Sequence, residues 1–240
     1  MMEETKRINK YISDSGFCSR READRLIDAG RVTINDQKPE MGMKVSEKDS
    51  VKVDGKLINT ENKRVYLAFN KPTLVTCTTD TRDPDNIIDF IKYNERIFPI
   101  GRLDKMSEGL IFLTNDGDIV NKILRAGNEH EKEYLVKVNK EVTDEFIKKM
   151  GSGVKILDKT TKPCKIKKCG NNSFNIILTE GLNRQIRRMC EAFDYKVLKL
   201  KRIRIMNIGL DNLKIGEWRY LSSDEINKIM EMVSSSKKVA

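Results

Sequence analysis

Gly101-Arg102-Leu103-Asp104-Lys105-Met106-Ser107-Glu108-Gly109-Leu110-Ile111-Phe112-Leu113-Thr114 is the most informative stretch of this 240-residue chain. Residues 110–114 form a short apolar run that suits a buried strand, and residues 96–101 read as another. Asp104 therefore falls in a loop between two core strands, flanked by Arg102 and Lys105. A carboxylate held among cations stays ionised and positioned. On spacing alone, an ordinary loop aspartate is the simpler reading.

The segments around this stretch set the fold class. Upstream, residues 65–70 read as a strand, stopped by Pro72, which cannot continue a ladder. Residues 73–86 are rich in Thr and Asp and read as a loop. Ile87, Ile88 and Ile91 have helical spacing within 86–93. Downstream, residues 118–125 and 143–150 read as helices. Residues 134–138 read as a strand with Tyr134, Val136 and Val138 on one face. After a strand at 172–179, Leu182, Ile186, Met189, Cys190 and Phe193 mark the apolar face of a helix. Arg184, Arg187 and Arg188 form an adjacent basic stripe, and planar guanidinium groups suit phosphates and carboxylates. Short strands run on to Leu221, followed by a helix over 222–233 and a loose tail over 234–240. This irregular order predicts an α+β fold with a mixed, largely antiparallel sheet flanked by helices.

Residues 1–62 read as a separate small module, with a polar linker at 59–63. Ile8, Tyr11 and Ile12 repeat at helical spacing within 6–13. Ser19 and Glu22 have the spacing of a capping box. Ala23, Leu26 and Ile27 form one face of the helix that follows, and Arg20, Arg21 and Arg25 lie on the other side. Gly30 ends it. Short strands at 32–34 and 51–53 lead to Asp54-Gly55, a tight-turn dipeptide.

Composition limits the function classes. No apolar run approaches the roughly 18 residues of a membrane span. The start, MMEETKRINK, carries no secretory signal. Five cysteines at 18, 77, 164, 169 and 190 form no C-x-x-C pair, which points to free thiols in a reducing cytoplasm. A single histidine, His130, excludes a multi-His metal site, and in a polar loop it reads as incidental. No phosphate-cradling glycine loop is present, and a Ser-His-Asp triad could use His130 alone.

The net charge is +10, and it is concentrated. Residues 155–168 carry a net +5 and residues 181–204 a net +6, so the other 202 residues sum to −1. Residues 1–63, with 13 basic and 12 acidic side chains, are nearly neutral. Concentrated positive charge is the footprint of a polyanion partner, and RNA or DNA fits better than a membrane surface.

Together these stretches resemble one family. GRLDKMSEGLIFLTNDGD resembles the catalytic-aspartate motif of the RsuA/RluB/RluE/RluF-type bacterial pseudouridine synthases. EKEYLVKV resembles their tyrosine strand and EGLNRQIRRM their arginine helix, while residues 7–54 resemble the S4 RNA-binding module. ILRAGNEHEKEY and EGLNRQIRRMCEAFDY resemble the RluF branch, which acts on large-subunit (23S) ribosomal RNA. One departure is visible: two positions after Asn70-Lys71-Pro72 the family commonly has glycine, and Leu74 stands here.

The resemblance implies an S4-like RNA-binding domain over 1–62 and a pseudouridine synthase domain over 63–240. It implies isomerisation of a uridine already in RNA, with the base flipped out and no cofactor or metal. Asp104 is carried over as the essential carboxylate, either attacking C1′ or removing the 2′ proton. Arg187 matches the arginine that pairs with it, Tyr134 the residue stacked on the base, and Arg102 the residue that displaces the target nucleotide. Arg184, Arg188, Lys165, Lys167, Arg20, Arg21 and Arg25 would contact phosphates. The expected partner is ribosomal RNA, and the expected enzyme is a cytoplasmic monomer with no membrane contact. The same reaction on a tRNA anticodon loop is a second reading. A non-enzymatic ribosome-assembly factor is a third.

Overall fold

The computed structural model describes residues 5–59, 63–124 and 129–234. The chain divides into two compact units. The first comprises residues 1–65 with 93–97 and 115–117. Its elements are β1 (Lys6–Arg7), α1 (Ile8–Asp14), α2 (Arg20–Asp28), β2 (Val32–Ile34), β3 (Lys44–Val45), β4 (Val51–Val53) and β5 (Lys56–Leu57). α1 starts two residues later than its periodicity suggests, because Lys6 and Arg7 pair with Val45 and Lys44. β2, β4 and β5 form an antiparallel sheet. Asp54 and Gly55 both adopt positive φ between β4 and β5, as a tight hairpin with the strands' own twist requires. Ile8, Ile12, Ala23, Leu26 and Ile27 pack on Val32, Val51 and Val53 to close the core.

Half of the expected capping box forms. Ser19 Oγ accepts the Glu22 N–H at 3.2 Å, while the Glu22 carboxylate pairs with Arg25 at 3.0 Å. Arg20, Arg21 and Arg25 are all exposed on this helix.

The second unit begins with β6 (Tyr66–Lys71), α3 (Ile87–Ile91), β7 (Phe98–Ile100), β8 (Glu108–Thr114) and α4 (Gly117–Leu124). It continues with β9 (Lys132–Val138), α5 (Asp144–Gly151), β10 (Lys155–Ile156), β11 (Lys159–Thr160), β12 (Lys165–Gly170) and β13 (Ser173–Leu178). α6 (Gln185–Glu191), β14 (Val197–Ile205), β15 (Ile208–Gly209), β16 (Trp218–Tyr220) and α7 (Ser223–Ser234) complete it. The main sheet runs β12-β13-β9-β14-β8-β6-β16. Among the described residues β14 and β8 are its one parallel pair, so the sheet is mixed and largely antiparallel.

Every residue of β6 and β8 is buried, which explains why these strands read as continuous apolar runs rather than alternating ones. On one face Tyr66, Ala68, Leu110 and Phe112 pack against Ile119 and Ile123 of α4 and Ile229 and Val233 of α7. On the way out of the sheet, β12 forms an edge with Lys165, Lys167 and Lys168 exposed, a charge pattern that discourages further strand pairing. Among the described residues no helix is long and apolar enough to cross a membrane. The expected loose tail lies, except for Ser234, outside the described residues, as do Arg125 and most of the 59–63 linker.

Leu74 adopts φ +70°, the left-handed conformation that glycine enters freely. The loop thus keeps a glycine-like conformation without glycine. The Leu74 N–H donates to Lys105 O at 2.7 Å, tying this loop to the one that carries Asp104.

Candidate active site: an aspartate bracketed by two arginines

The 101–107 loop places Asp104 ahead of β8. Gly101 opens it at φ +77°, and the Ser107 N–H donates back to Asp104 O at 2.9 Å. The Leu103 N–H donates to Cys77 Sγ at 3.4 Å. Gly109 then lets β8 approach β14: at φ +108°, a Cβ there would collide with the Arg202 backbone.

The cations that reach Asp104 come from far along the chain. Arg187 Nε lies 3.7 Å and Arg184 3.8 Å from Asp104 Oδ2. Lys105, adjacent in sequence, instead pairs with Asp85 at 2.7 Å. The Arg187 guanidinium also donates to Met106 O, Ser107 Oγ and Val197 O, each at 3.3 Å. It is therefore fixed in place against the loop that holds the carboxylate. Burial, followed by repulsion from Arg184, lowers its pKa, and the Asp104 charge acts in the opposite sense.

The basic stripe of 184, 187 and 188 needs correction. α6 begins at Gln185, and Arg184 is its N-cap in the left-handed region, φ +50°. Leu182 therefore precedes the helix. Arg184 and Arg187 converge on Asp104, whereas Arg188 donates to Asn183 O and Oδ1 at 3.1 and 3.3 Å. The turn ahead of α6 is held by Gln185, almost wholly buried. Its amide donates to Glu180 Oε1 at 2.8 Å and accepts the Leu182 N–H at 2.9 Å.

Asp104 opens into a cavity of about 470 Å³. Tyr134, Arg102, Arg184, Lys132 and Arg202 line it with Leu103 and Ile186. Tyr134 is a buried member of this lining, and Arg102 an exposed one. Sequence reasoning missed Lys132 and Arg202. A period-two signal was available for the first: Lys132 precedes Tyr134 by two on the cavity face of β9. Arg202 is the register partner of Tyr134 on β14, visible only once the strands are paired. Lys165 and Lys167 lie on the β12 edge and do not line the cavity. His130 is buried outside it. Among the described residues no group of three His, Cys, Asp or Glu side chains is arranged to hold a metal ion.

The sequence of residues 65–192, which includes this loop, strand and helix, matches the family model for RNA pseudouridylate synthases, and residues 6–51 match the S4 domain model. The chain belongs to the RNA pseudouridylate synthase family, with an S4 domain ahead of the catalytic part. It is therefore an enzyme that isomerises uridine in RNA, and the non-enzymatic reading falls away.

Particular relatives are similar over nearly the whole chain. The dual-specificity RNA pseudouridine synthase RluF of Salmonella typhi is 54% identical over 242 residues, covering 100% of this chain and 84% of its own. The ribosomal large subunit pseudouridine synthase B of Bacillus subtilis (strain 168) is 32% identical over 240 residues, covering 97% and 98%. A crystal structure of a pseudouridylate synthase superposes with a TM-score of 0.69 at 28% identity, covering 93% of this chain and 99% of that one.

Proposed function

We propose that the chain converts a specific uridine of ribosomal RNA, in the large-subunit 23S RNA, to pseudouridine, with Asp104 as the essential carboxylate. The carrying observation is the convergence of Arg184 and Arg187 on Asp104 at the edge of a cavity lined by Tyr134. Two guanidinium groups bracket the carboxylate and aim it, which suits attack on C1′ and removal of the 2′ proton alike. A flipped uracil stacks on Tyr134, and Arg102 at the rim fills the place the base leaves. Unstacking costs a few kcal/mol. Phosphate contacts from Arg184, Arg188, Lys165, Lys167 and the Arg20, Arg21 and Arg25 face offset that cost.

In this reading residues 1–62 are the RNA-binding domain and 63–240 the catalytic domain of a cytoplasmic monomer. The reaction requires no cofactor, because the uridine is rearranged with no net redox change. The similar large-subunit enzyme of Bacillus subtilis supports the ribosomal substrate. The dual-specificity name of the Salmonella typhi relative supports a second substrate, for which a tRNA anticodon-loop uridine is the second reading.

Carbodiimide mapping of pseudouridines in ribosomal RNA and tRNA, from cells with and without this protein, tests the assignment. A pseudouridine present in 23S RNA only with the protein is the expected result. Asp104→Asn should bind RNA normally and lose at least about 10³-fold in conversion rate. Unchanged activity in that variant rules out the role given to Asp104.

A further inference from the structure

Two cations in the cavity have no counter-charge. Arg202 is 4% exposed, and its Nε donates to Leu110 O at 2.6 Å. One of its terminal amino groups is buried with no hydrogen-bond partner among the described residues. Lys132 lines the same cavity, and among the described residues its side chain makes one long hydrogen bond, 3.3 Å to His130 O. Neither side chain forms an ion pair among the described residues. The acids that line the cavity are engaged elsewhere. Asp104 faces Arg184 and Arg187, and Glu180 accepts from Gln185 and from the Lys162 N–H. Burial, reinforced by the Arg202 charge, pushes Lys132 down to about 8.

A buried, unpaired cation costs several kcal/mol. Arg202 is buried in this way and Lys132 half-buried beside it, which marks a place where the ligand brings the missing negative charge. A phosphate diester is a poor candidate at this depth, because exposed cations at the rim, Arg102 and Arg184, meet a backbone first. The planar base is the group that goes deeper. The Arg202 guanidinium carbon is 6.0 Å from the Tyr134 ring centroid, and Lys132 shares the face of Tyr134 on β9. Both cations therefore lie beside the ring on which a flipped base would stack.

We propose that Lys132 and Arg202 form a cationic subsite that grips the carbonyl oxygens of the target uracil and stabilises the negative charge it carries after glycosidic cleavage. The inference rests on the roles given above to Asp104 and Tyr134. When the C1′–N1 bond breaks, its electron pair stays on uracil and spreads from N1 onto O2 and O4. The sugar gains a bond to Asp104 oxygen or gives its 2′ proton to Asp104. C5 then bonds to C1′, reversing that step at the sugar, the C5 proton leaves, and N1 regains one, so nothing is added or lost overall. Fixed cations in a water-poor site favour this charge more than mobile water does.

The test uses full-length protein and a synthetic stem-loop containing the uridine located by the mapping, with uridine or 5-fluorouridine at that position. Fluorine withdraws electrons, so the departing base holds its charge more easily and needs less help. Disappearance of the starting nucleoside is followed under single-turnover conditions. Lys132→Met should slow uridine by about 10²-fold or more and 5-fluorouridine by less than about 10-fold, with RNA affinity within about twofold of wild type. Arg202→Lys, which keeps the charge but loses the fork, should show the same ordering with a smaller loss. Equal losses on the two substrates, in variants that melt as cooperatively as wild type, overturn the subsite. A loss confined to RNA affinity also overturns it, in favour of phosphate binding. If mapping finds no pseudouridine that depends on this protein, the substrate reading fails first and the inference falls with it.

Discussion

Leu74 has a backbone conformation that its side chain does not favour. A non-glycine residue in the left-handed region costs roughly 1–2 kcal/mol, and its N–H bond to Lys105 O fixes it there. Leu74→Gly should raise stability by up to about 1 kcal/mol, because the relieved strain outweighs the added entropy of the unfolded chain. Chemical denaturation reads this directly. Lys132 shows a second residue-scale conflict, this one between stability and chemistry. Its pKa is about 8 in the fold and 10.5 in the unfolded chain. Between those values the unfolded chain holds more protons, so folding stability rises with pH there, and the charge penalises the fold fully below about 8. Lys132→Met should therefore raise the melting temperature at pH 7, by at most about 3 kcal/mol in stability. That advantage should shrink by pH 10. Arg202, Arg102, Arg184, Asp104 and Glu180 face the same cavity and set the local field. Wild-type activity should decline as pH rises through about 8, and Lys132→Met should lack that limb of the profile.

At the scale of elements, the close contact of β8 with β14 decides where Asp104 lies relative to Arg202 and Tyr134. Gly109 makes that approach possible. Gly109→Ala meets both backbone collision and an unfavourable φ, and should destabilise by about 4 kcal/mol or more, an exceptional value for one methyl group. Thermal melts and soluble yield would show it, and near-wild-type stability would mean the strands can separate without loss. The start of α6 is the second decisive detail. Apolar spacing over 182–193 is real, but Gln185 and Glu180 hold residues 182–184 as a turn, so the helix begins later than the spacing suggests. The arginines therefore diverge from a single stripe, and two of the three clamp the carboxylate.

For the molecule as a whole, nearly all of the +10 charge, a net +9, lies beyond residue 63 rather than in the N-terminal domain. Deleting residues 1–62 should blur site selection and weaken binding, yet leave much of the salt dependence of RNA affinity. The slope of log affinity against log salt, read by fluorescence anisotropy, counts the phosphates neutralised. A truncated protein whose slope collapses would move the main phosphate contacts to the N-terminal domain.

What the sequence determined by itself was local or linear. Continuous apolar runs marked β6 and β8 as buried, the Ser19 cap and Asp54-Gly55 turn marked the small N-terminal unit, and charge counts located the basic segments. Motif order along the chain then marked the family. Pairing across long separations was decided by tertiary structure alone. Arg184 and Arg187 reach Asp104 from some 80 residues away, and Arg202 meets Tyr134 only through the β9–β14 register. Periodicity reports which face a side chain takes within its own element. It carries no information on which element will lie opposite, and that depends on how the strands assemble around a shared core.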